Sequence, residues 1–412
     1  MDSCVTRGRG KQSAALWLAA SLLALLLAAV SGCGGSGGSK VLYAVGVGSP
    51  NVTLFDIAGG GVLDITANSV STGSAPDVIA IDPMLRFAYV VDSAGGEGAG
   101  GVSQYVIARK TGILTVATFS STNGTTPPST PVPTGVNPIS MTVDGTGNFV
   151  FVANQGSNSI SGFTIDQIGG TLTEIKQLPP TTLNCMPDQI TPCPLPTAGA
   201  PTSLATTGSM LFVAMTNAGV GSIATYLFTP EPSVPPVTQV ACPAGPGCLQ
   251  TPPVSTITAG TNPVAIATDS SGKFLFAADS VTNMVQAFSI GGSGQLTALG
   301  APIAAGTMPV SISASASGSF VYTANSGSSD VSAFSFSSSG LTAVTGSPFS
   351  VMPATGPSYV LVDSSGKFLF VADRNSNNIS AFTIGSGGTL TQVTGSPFAS
   401  PVINPVALAS IN

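Results

Sequence analysis

Histidine is absent from this 412-residue chain, and charged residues make up only 7% of it. The formal net charge is −6 with no run of Lys or Arg, which makes the chain a poor candidate for binding nucleic acid, and we predict no nucleic-acid partner. No phosphate-binding loop, G-x-S-x-G elbow or C-x-x-C-H haem signature occurs, and we predict no cofactor. No segment after residue 40 has a convincing 3.6-residue hydrophobic period, so a solenoid of helical repeats is excluded.

The long apolar run of the chain lies near its start, where residues 13–30 read SAALWLAASLLALLLAAV behind three basic residues. This layout is typical of a secretory signal, and a transmembrane anchor is the alternative. Val-Ser-Gly-Cys at residues 30–33 resembles a bacterial lipoprotein signal, which implies a signal peptide of residues 1–32 and lipid on Cys33. Residues 33–40 then form a flexible Gly/Ser tether. We expect an exported protein of the cell envelope, held at the outer membrane or cell surface by its lipid anchor.

Four cysteines remain beyond the lipid-bearing one, and they form two close pairs, Cys185 with Cys193 and Cys242 with Cys248. An even, locally paired set of cysteines in an exported protein indicates disulfides. Zinc is the competing interpretation, but the spacing is not C-x2-C and no histidine is available as a ligand. We therefore predict two disulfides and no metal.

The octapeptide DSSGKFLF occurs twice, at Asp269–Phe276 and at Asp363–Phe370, 94 residues apart. A looser copy lies midway, at Ser315–Asn325, so the repeat is about 47 residues long. In the unit that begins at Pro357, a β-rich segment precedes this turn and another follows it, with Asp363 beginning the turn and Gly supplying a positive φ. Two further β-rich segments follow before the next copy. Four short antiparallel strands per repeat of this length predict a propeller blade.

Seven prolines mark the expected first strands of the blades: Pro76, Pro138, Pro201, Pro263, Pro309, Pro357 and Pro405. After the last of them only one strand remains, whereas residues 41–66 supply three strands without a first. We predict that the C-terminal strand completes the N-terminal blade and closes an all-β, seven-bladed propeller over residues 41–412. Strands such as KFLFVAD are apolar on both faces, as expected for sheets packed between two neighbouring blades.

The segments YVVD, FVAN, YTAN and FVAD at the ends of the second strands are similar to YVTN-type repeats. The wider unit resembles the lactonase-type seven-bladed propellers, which include 6-phosphogluconolactonase-like members, over essentially all of residues 41–412. The resemblance implies a catalytic cleft at one mouth of the central channel, where such enzymes use His, Arg and acidic side chains. Because the chain has no histidine, no His of that family has a counterpart here.

Asp373 and Arg374 are the candidate catalytic residues, because Arg374 is the one arginine beyond the tether that lies in a loop between a second and a third strand. A lactone hydrolase needs a base for water and a group that holds the oxyanion, and these side chains offer both. The competing interpretation, which we favour, treats Asp373 as a turn cap because Asp or Asn recurs at its position. The recurring residues are Asp92, Asn154, Asp279 and Asn325.

These residues and Glu97 define a predicted ligand-binding loop face. A cation site on it is a further option, but the acidic residues lie on different blades, so we predict none. Three long inserts, at residues 121–138, 179–201 and 242–263, emerge on the same face and contain both cysteine pairs. They are either surface decoration or a proline-stiffened crescent that binds a partner.

Three functional hypotheses follow. We predict a lipid-anchored, monomeric propeller of the cell envelope that binds a protein or a glycan without catalysis. The first alternative is a lactonase that hydrolyses a sugar lactone or a related ester. The second alternative is a structural, surface-layer-like envelope protein.

Overall fold

The computed structural model describes the part of the chain that follows the tether, with five internal gaps. The described residues are 40–411 except 94–98, 118–130, 176–193, 230–246 and 317–318. Apart from a 3-10 turn at Gly59–Gly61, the regular structure in these residues is entirely β-strand. No helix in the described part is long and apolar enough to cross a membrane. The predicted signal peptide, Cys33, most of the tether, Glu97 and three of the four paired cysteines lie outside the described residues.

Seven antiparallel sheets form the blades, each ordered here from the central channel outward, with strands numbered in chain order. Blade 1 contains β32 (Pro405–Ile411), β1 (Val41–Gly46), β2 (Ser49–Ile57) and β3 (Leu63–Ser71). Blade 2 contains β4 (Pro76–Ile81), β5 (Phe87–Asp92), β6 (Ala99–Ile107) and the outer segments β7 (Leu114–Val116) and β8 (Val132–Val136). Blade 3 contains β9 (Pro138–Val143), β10 (Phe149–Asn154), β11 (Ser159–Ile165) and the outer segments β12 (Leu172–Ile175) and β13 (Leu195–Pro196).

The remaining blades repeat the same order. Blade 4 contains β14 (Ala200–Thr207), β15 (Met210–Asn217), β16 (Val220–Leu227) and β17 (Ser255–Thr258). Blade 5 contains β18 (Pro263–Thr268), β19 (Phe274–Asp279), β20 (Met284–Ile290) and β21 (Leu296–Ala304). Blade 6 contains β22 (Pro309–Ala314), β23 (Phe320–Asn325), β24 (Asp330–Ser337), β25 (Gly340–Ala343) and β26 (Phe349–Ser350). Blade 7 contains β27 (Pro357–Val362), β28 (Phe368–Asp373), β29 (Asn378–Ile384), β30 (Leu390–Gln392) and β31 (Phe398–Ala399).

The ring closes through the last strand, as the sequence predicted. β32 pairs antiparallel with β1, with Tyr43 opposite Ala409 and Val41 opposite Ile411. Six of the seven marker prolines are the first residue of a first strand, and Pro201 is the second residue of β14. A first strand pairs with another strand on one side only. Proline has no backbone N–H, and at the start of such a strand this loses no hydrogen bond to a strand on the unpaired side. Neighbouring first strands contact each other all the way round the channel.

The middle strands of the blades are buried on both faces. Leu369 and Val371 of β28 pack in one apolar cluster with Tyr322 of blade 6. Phe370 points the other way and packs with Phe55 of blade 1. The two-faced apolar pattern is therefore explained by packing between adjacent blades, as predicted.

The repeated octapeptide forms the turn between a first and a second strand. One carboxylate oxygen of Asp363 accepts hydrogen bonds from the backbone N–H groups of Lys367 at 2.9 Å and Phe368 at 2.8 Å, and the other accepts from Ser365. Gly366 completes the turn with φ of 66°. Asp269 makes the equivalent bonds to Lys273 and Phe274 in the other copy. The repeat thus reports blade architecture rather than a repeated reactive site.

The fourth strands differ from the prediction of one continuous segment. In four blades the outer strand is split into two short pieces that both pair with the third strand, as β25 and β26 do with β24. An outer strand has one unpaired edge, and breaking it shortens the stretch of backbone open to pairing with another chain.

Candidate functional site

A pocket of about 230 Å³ lies in the central channel between the first strands of the blades. The residue after each marker proline lines it, so the chain places seven equivalent positions around one opening. These residues are Asp77, Ile139, Thr202, Val264, Val310, Ser358 and Val406. Four are aliphatic, two carry hydroxyls, and one carries a carboxyl group.

The hydroxyls in this ring are used to join neighbouring blades. Thr202 Oγ1 donates to the carbonyl oxygen of Pro263 in the next blade. Ser358 Oγ lies 2.8 Å from the carbonyl oxygen of Pro405, the equivalent acceptor one blade further on. These two hydroxyls therefore connect neighbouring blades by hydrogen bonds to main-chain carbonyls. Asp77 carries the ionisable side chain among the seven positions.

Asp77 occupies a position where a charge is costly. Its side chain is half-buried in the pocket wall. Burial raises the pKa of Asp77 above its usual value, while a hydrogen bond with Ser93 and the positive charge of Arg374 act in the opposite direction. A half-buried carboxyl with a raised pKa in a pocket has the properties of a general base.

Arg374 brings the positive charge that acts on Asp77. It follows β28 in the loop between the second and third strands of blade 7, and its side chain is exposed. Its backbone N–H donates to the carbonyl oxygen of Gly356 at 2.9 Å, which fixes the loop against the segment that enters β27. Asp77 and Arg374 come from blades 2 and 7, and β32 of blade 1 lies between their first strands.

Tyr359 is a second titratable residue that lines the pocket. Burial raises the pKa of Tyr359 above its usual value, so its phenol remains protonated at neutral pH. A protonated phenol can donate a hydrogen bond to an oxygen that carries developing negative charge.

Asp373, the acidic residue singled out from the sequence, is fully buried. One of its carboxyl oxygens accepts from the backbone N–H of Ser380 at 3.0 Å and from Ser380 Oγ at 2.7 Å. The other oxygen has no hydrogen-bond partner. Burial raises the pKa of Asp373 to about 7. The pocket is lined by Asp77 and not by Asp373.

The other recurring Asp and Asn residues hold loops together. Burial acts to raise the pKa of Asp279, but its carboxylate accepts from the backbone N–H groups of Thr261 and Asn262 on one side and Val281 and Thr282 on the other, and the net effect is a lowered pKa. These hydrogen bonds match the turn-cap interpretation.

Asn or Asp fills the same role in three other blades. Asn154 accepts from the backbone N–H of Gly135 and donates to Ser161, and Asn325 donates to Ser332. Asp92 accepts from Ser103 Oγ, and burial raises the pKa of Asp92 to about 6. Among the described residues, no group of three or more Cys, Asp or Glu side chains is arranged to hold a metal ion.

Asp77 is not among the site residues predicted from the sequence, although one feature of the sequence singles it out. Aligning the blades on their marker prolines gives Asp, Ile, Thr, Val, Val, Ser and Val at the next position, with Asp77 as the single acidic residue. Asp77 is distinguished because its residue type differs from those at the equivalent positions, which face the channel. The repeated residues do not identify it.

The comparisons with known proteins agree with this architecture. The model of the family described as lactonase, 7-bladed β-propeller, matches residues 115–186 and 249–349. No curated protein sequence matches the chain.

Two solved structures share the fold over nearly their full length. A protein of Bacteroides fragilis provisionally named a 6-phosphogluconolactonase has a TM-score of 0.67 at 20% identity, covering 92% of this chain and 100% of its own. The periplasmic gluconolactonase of Pseudomonas aeruginosa has a TM-score of 0.66 at 19% identity, covering 90% of this chain and 99% of its own. The predicted resemblance to lactonase-type seven-bladed propellers is confirmed, and so is the fold.

Proposed function

We propose that this chain, which shares the fold and the family match of the lactonase-type propellers, is a lactone hydrolase with its reactive centre at Asp77 in the mouth of the central channel. The observation that carries the proposal is the single carboxyl group in a ring whose other members are aliphatic or engaged in clasping neighbouring blades. The family match supports a lactone hydrolase better than the non-catalytic binding module predicted from the sequence.

The proposed reaction uses Asp77 as a general base. The Asp77 carboxylate accepts a proton from a water molecule, and the water oxygen attacks the carbonyl carbon of the lactone. The bond between that carbon and the ring oxygen then breaks, and the proton on Asp77 passes to the leaving alkoxide. The product is the open-chain hydroxy acid, with one water consumed and no other co-reactant needed. A raised pKa suits Asp77 to both steps, because base strength and proton return are best balanced near the working pH.

Arg374 and Tyr359 are proposed to stabilise the tetrahedral intermediate. The positive charge of Arg374 acts to lower the pKa of Asp77, so the same charge would favour negative charge that develops beside Asp77. The phenol of Tyr359 offers a neutral donor in the pocket wall. This arrangement needs no histidine, which the chain does not have.

The test is a hydrolysis assay on the full chain purified in detergent, with glucono-δ-lactone as substrate and acid release as the signal. Asp77→Asn keeps the shape of the side chain and removes the base, so we expect kcat to fall by about 10²- to 10⁴-fold. Asp64→Asn, at an exposed position on the outer strand of blade 1, is the matched control and should hydrolyse at the wild-type rate. Thermal unfolding curves verify that both proteins are folded. Equal activity of folded wild type and folded Asp77→Asn would refute the assignment of Asp77 as the general base.

The binding-module hypothesis remains a prediction, and it depends on the three long inserts and their cysteine pairs. Large parts of the inserts that would form the crescent, with Cys185, Cys193 and Cys242, lie outside the described residues. Cys248 is described and buried, and the two disulfide pairings stay predictions. Two results together would favour the binding-module hypothesis: absence of lactone hydrolysis by the wild type, and loss of binding to a partner when the inserts are shortened.

A further inference from the structure

A second pocket, the interblade pocket, has a volume of about 360 Å³ and lies toward the outside of the interface between blades 3 and 4. Its walls come from β13 of blade 3, from β15, β16 and β17 of blade 4, and from the segment that enters β17. The residues that line it are different from those that line the pocket at Asp77. Sites for small molecules have volumes of roughly 300–1,000 Å³, so the interblade pocket has the size of such a site.

The interblade pocket has a buried floor and an exposed entrance. Leu195, Met215 and Tyr226 line the floor, and each is at most 3% exposed. Pro196 and Pro252 also line the pocket, and both are exposed to solvent. Because the ring of proline fixes its own φ, these walls have little conformational freedom to lose when a ligand binds. The pocket therefore combines apolar depth with access from solvent.

The interblade pocket lies where blade 4 departs from the repeat. Four other blades carry Asp or Asn near the end of the second strand and pair it with a serine of the third strand, as Asn154 pairs with Ser161. In blade 4 that position holds Met215, opposite Ser222, and both residues line the pocket. A thioether is only a weak acceptor, and Ser222 Oγ has no hydrogen-bond partner among the described residues.

Tyr226 brings a second hydroxyl without a partner to the same face of β16 as Ser222. Five other blades carry Phe at the equivalent position: Phe55, Phe163, Phe288, Phe334 and Phe382. Blade 2 carries Tyr105, whose hydroxyl donates to the carbonyl oxygen of Ser71 at 2.6 Å. The hydroxyl of Tyr226 forms no hydrogen bond within the described part of the chain. A buried donor without an acceptor is costly, and an acceptor on a ligand would remove that cost.

The chemistry of the lining side chains favours an uncharged, largely apolar ligand. The described residues that line the interblade pocket include no Asp, Glu, Lys or Arg, so an ionised group would enter it without a partner. Burial raises the pKa of Tyr226, which keeps its phenol protonated and able to donate. The sulfur of Met215 is polarisable and makes favourable contacts with aromatic rings. Since an apolar cavity of about 150 Å³ binds one benzene ring, the interblade pocket has room for about two.

We propose that the interblade pocket binds a small, uncharged molecule of about two aromatic rings, which accepts a hydrogen bond from the hydroxyl of Tyr226. The inference is independent of the proposed lactone hydrolysis, because the two pockets are lined by different residues.

Benzophenone is the probe for this site, because a ketone oxygen joins the acceptor function to two rings, and diphenylmethane is the matched ligand without an acceptor. Equilibrium dialysis of the full chain in detergent measures the Kd of each, with protein-free micelles at the same detergent concentration as the blank. We expect benzophenone binding that saturates. Tyr226→Phe introduces the residue that five other blades carry, and it should weaken benzophenone binding by about three- to tenfold while changing the Kd of diphenylmethane by less than about twofold.

Two further variants establish where the probes bind. Tyr105→Phe removes a hydroxyl from the equivalent position of blade 2, outside the interblade pocket, and should leave both Kd values unchanged. Met215→Asn introduces the residue of blades 3 and 6, which can pair with Ser222, and should weaken the binding of both probes because it makes the floor polar. Thermal unfolding curves verify that each variant is folded.

The proposal is overturned if the folded wild type shows no saturable binding of benzophenone. Equal benzophenone affinity of the wild type and Tyr226→Phe, or an equal loss in Tyr226→Phe and Tyr105→Phe, overturns the role of Tyr226. Unchanged binding of both probes to Met215→Asn places them outside the interblade pocket and overturns the site. Addition of a carboxylate, as in 4-benzoylbenzoate, should weaken binding at least about tenfold, and equal affinity overturns the requirement for an uncharged ligand.

Discussion

Asp373 provides a quantitative test of how the blades tolerate charge, because its substitution by Asn should stabilise the protein at alkaline pH. Its carboxyl group is fully buried and accepts two hydrogen bonds, both from Ser380, while its second oxygen has no partner. Ionisation of Asp373 therefore places a charge with little compensation inside a packed blade. Burial raises its pKa from 3.8 to about 7 for this reason.

The sign and size of the effect follow from that shift. A carboxyl whose pKa is raised on folding contributes stability in full below its unfolded pKa, and the contribution disappears as pH rises through the folded pKa. A shift of about three pKa units corresponds to about 4 kcal/mol, as an upper bound because local relaxation reduces it. The wild type should lose this stability between about pH 4 and pH 7.

Asn has a precedent at this position and no charge to bury. In two other blades an Asn side chain donates to the serine equivalent to Ser380, from Asn154 to Ser161 at 3.0 Å and from Asn325 to Ser332 at 2.9 Å. We expect Asp373→Asn to match the wild type at pH 4.5 and to exceed it by about 2–4 kcal/mol at pH 8. Urea unfolding at both pH values measures the difference, provided that the denaturant slope is unchanged.

Asp279 is the matched control because it occupies the same position in blade 5 with the opposite electrostatics. Its carboxylate accepts four backbone N–H groups and its pKa is lowered. Asp279→Asn removes one acceptor oxygen, so it should destabilise the protein at pH 8 by about 1–3 kcal/mol, with a smaller effect as pH falls below 4. A pH-independent effect of Asp373→Asn, or a loss of stability at pH 8, would show that the burial argument is wrong.

Three further predictions concern the proposed site, the ring and the anchor. Arg374→Gln removes a charge that lowers the pKa of Asp77, so the acid limb of the kcat/KM profile for lactone hydrolysis should move to higher pH; an unmoved limb contradicts the electrostatic effect of Arg374 on Asp77. Deletion of residues 405–412 exposes the edge of β1 and should cost more than about 5 kcal/mol, seen as loss of cooperative unfolding in calorimetry, whereas wild-type melting would contradict closure. Cys33→Ser should release the protein from membranes in cell fractionation, and unchanged membrane association would count against lipidation.

Much of the fold was predictable because it is written in short-range patterns. Marker prolines, Asp-initiated turns and strands apolar on both faces each have a local cause, and seven copies made the period visible. The count of strands at the two ends then predicted the pairing of β32 with β1. The split outer strands were not predictable from these patterns. Both pieces pair with the third strand of their blade, and this depends on where the chain leaves and rejoins the edge of the sheet.

The candidate site was less accessible to sequence reasoning. Arg374 was singled out by its loop, and its positive charge acts to lower the pKa of Asp77. Asp373 was considered with it because the two are adjacent in sequence, but Asp373 is the last residue of β28 and its carboxyl is buried against Ser380, whereas Arg374 lies in the exposed loop that follows. Asp77 lies almost 300 residues from Arg374 in sequence, and no local pattern joins them.

The amino-acid sequence by itself determined the blade, the number of blades and the closure of the ring, because each depends on turns and on alternation along a strand. The tertiary structure decided which polar residues share the channel and which carboxyl groups are buried without partners. Those properties depend on the distance between side chains of different blades and on how completely neighbouring sheets exclude water. Asp279 in blade 5 and Asp373 in blade 7 occupy equivalent positions, yet the pKa of Asp279 is lowered and the pKa of Asp373 is raised.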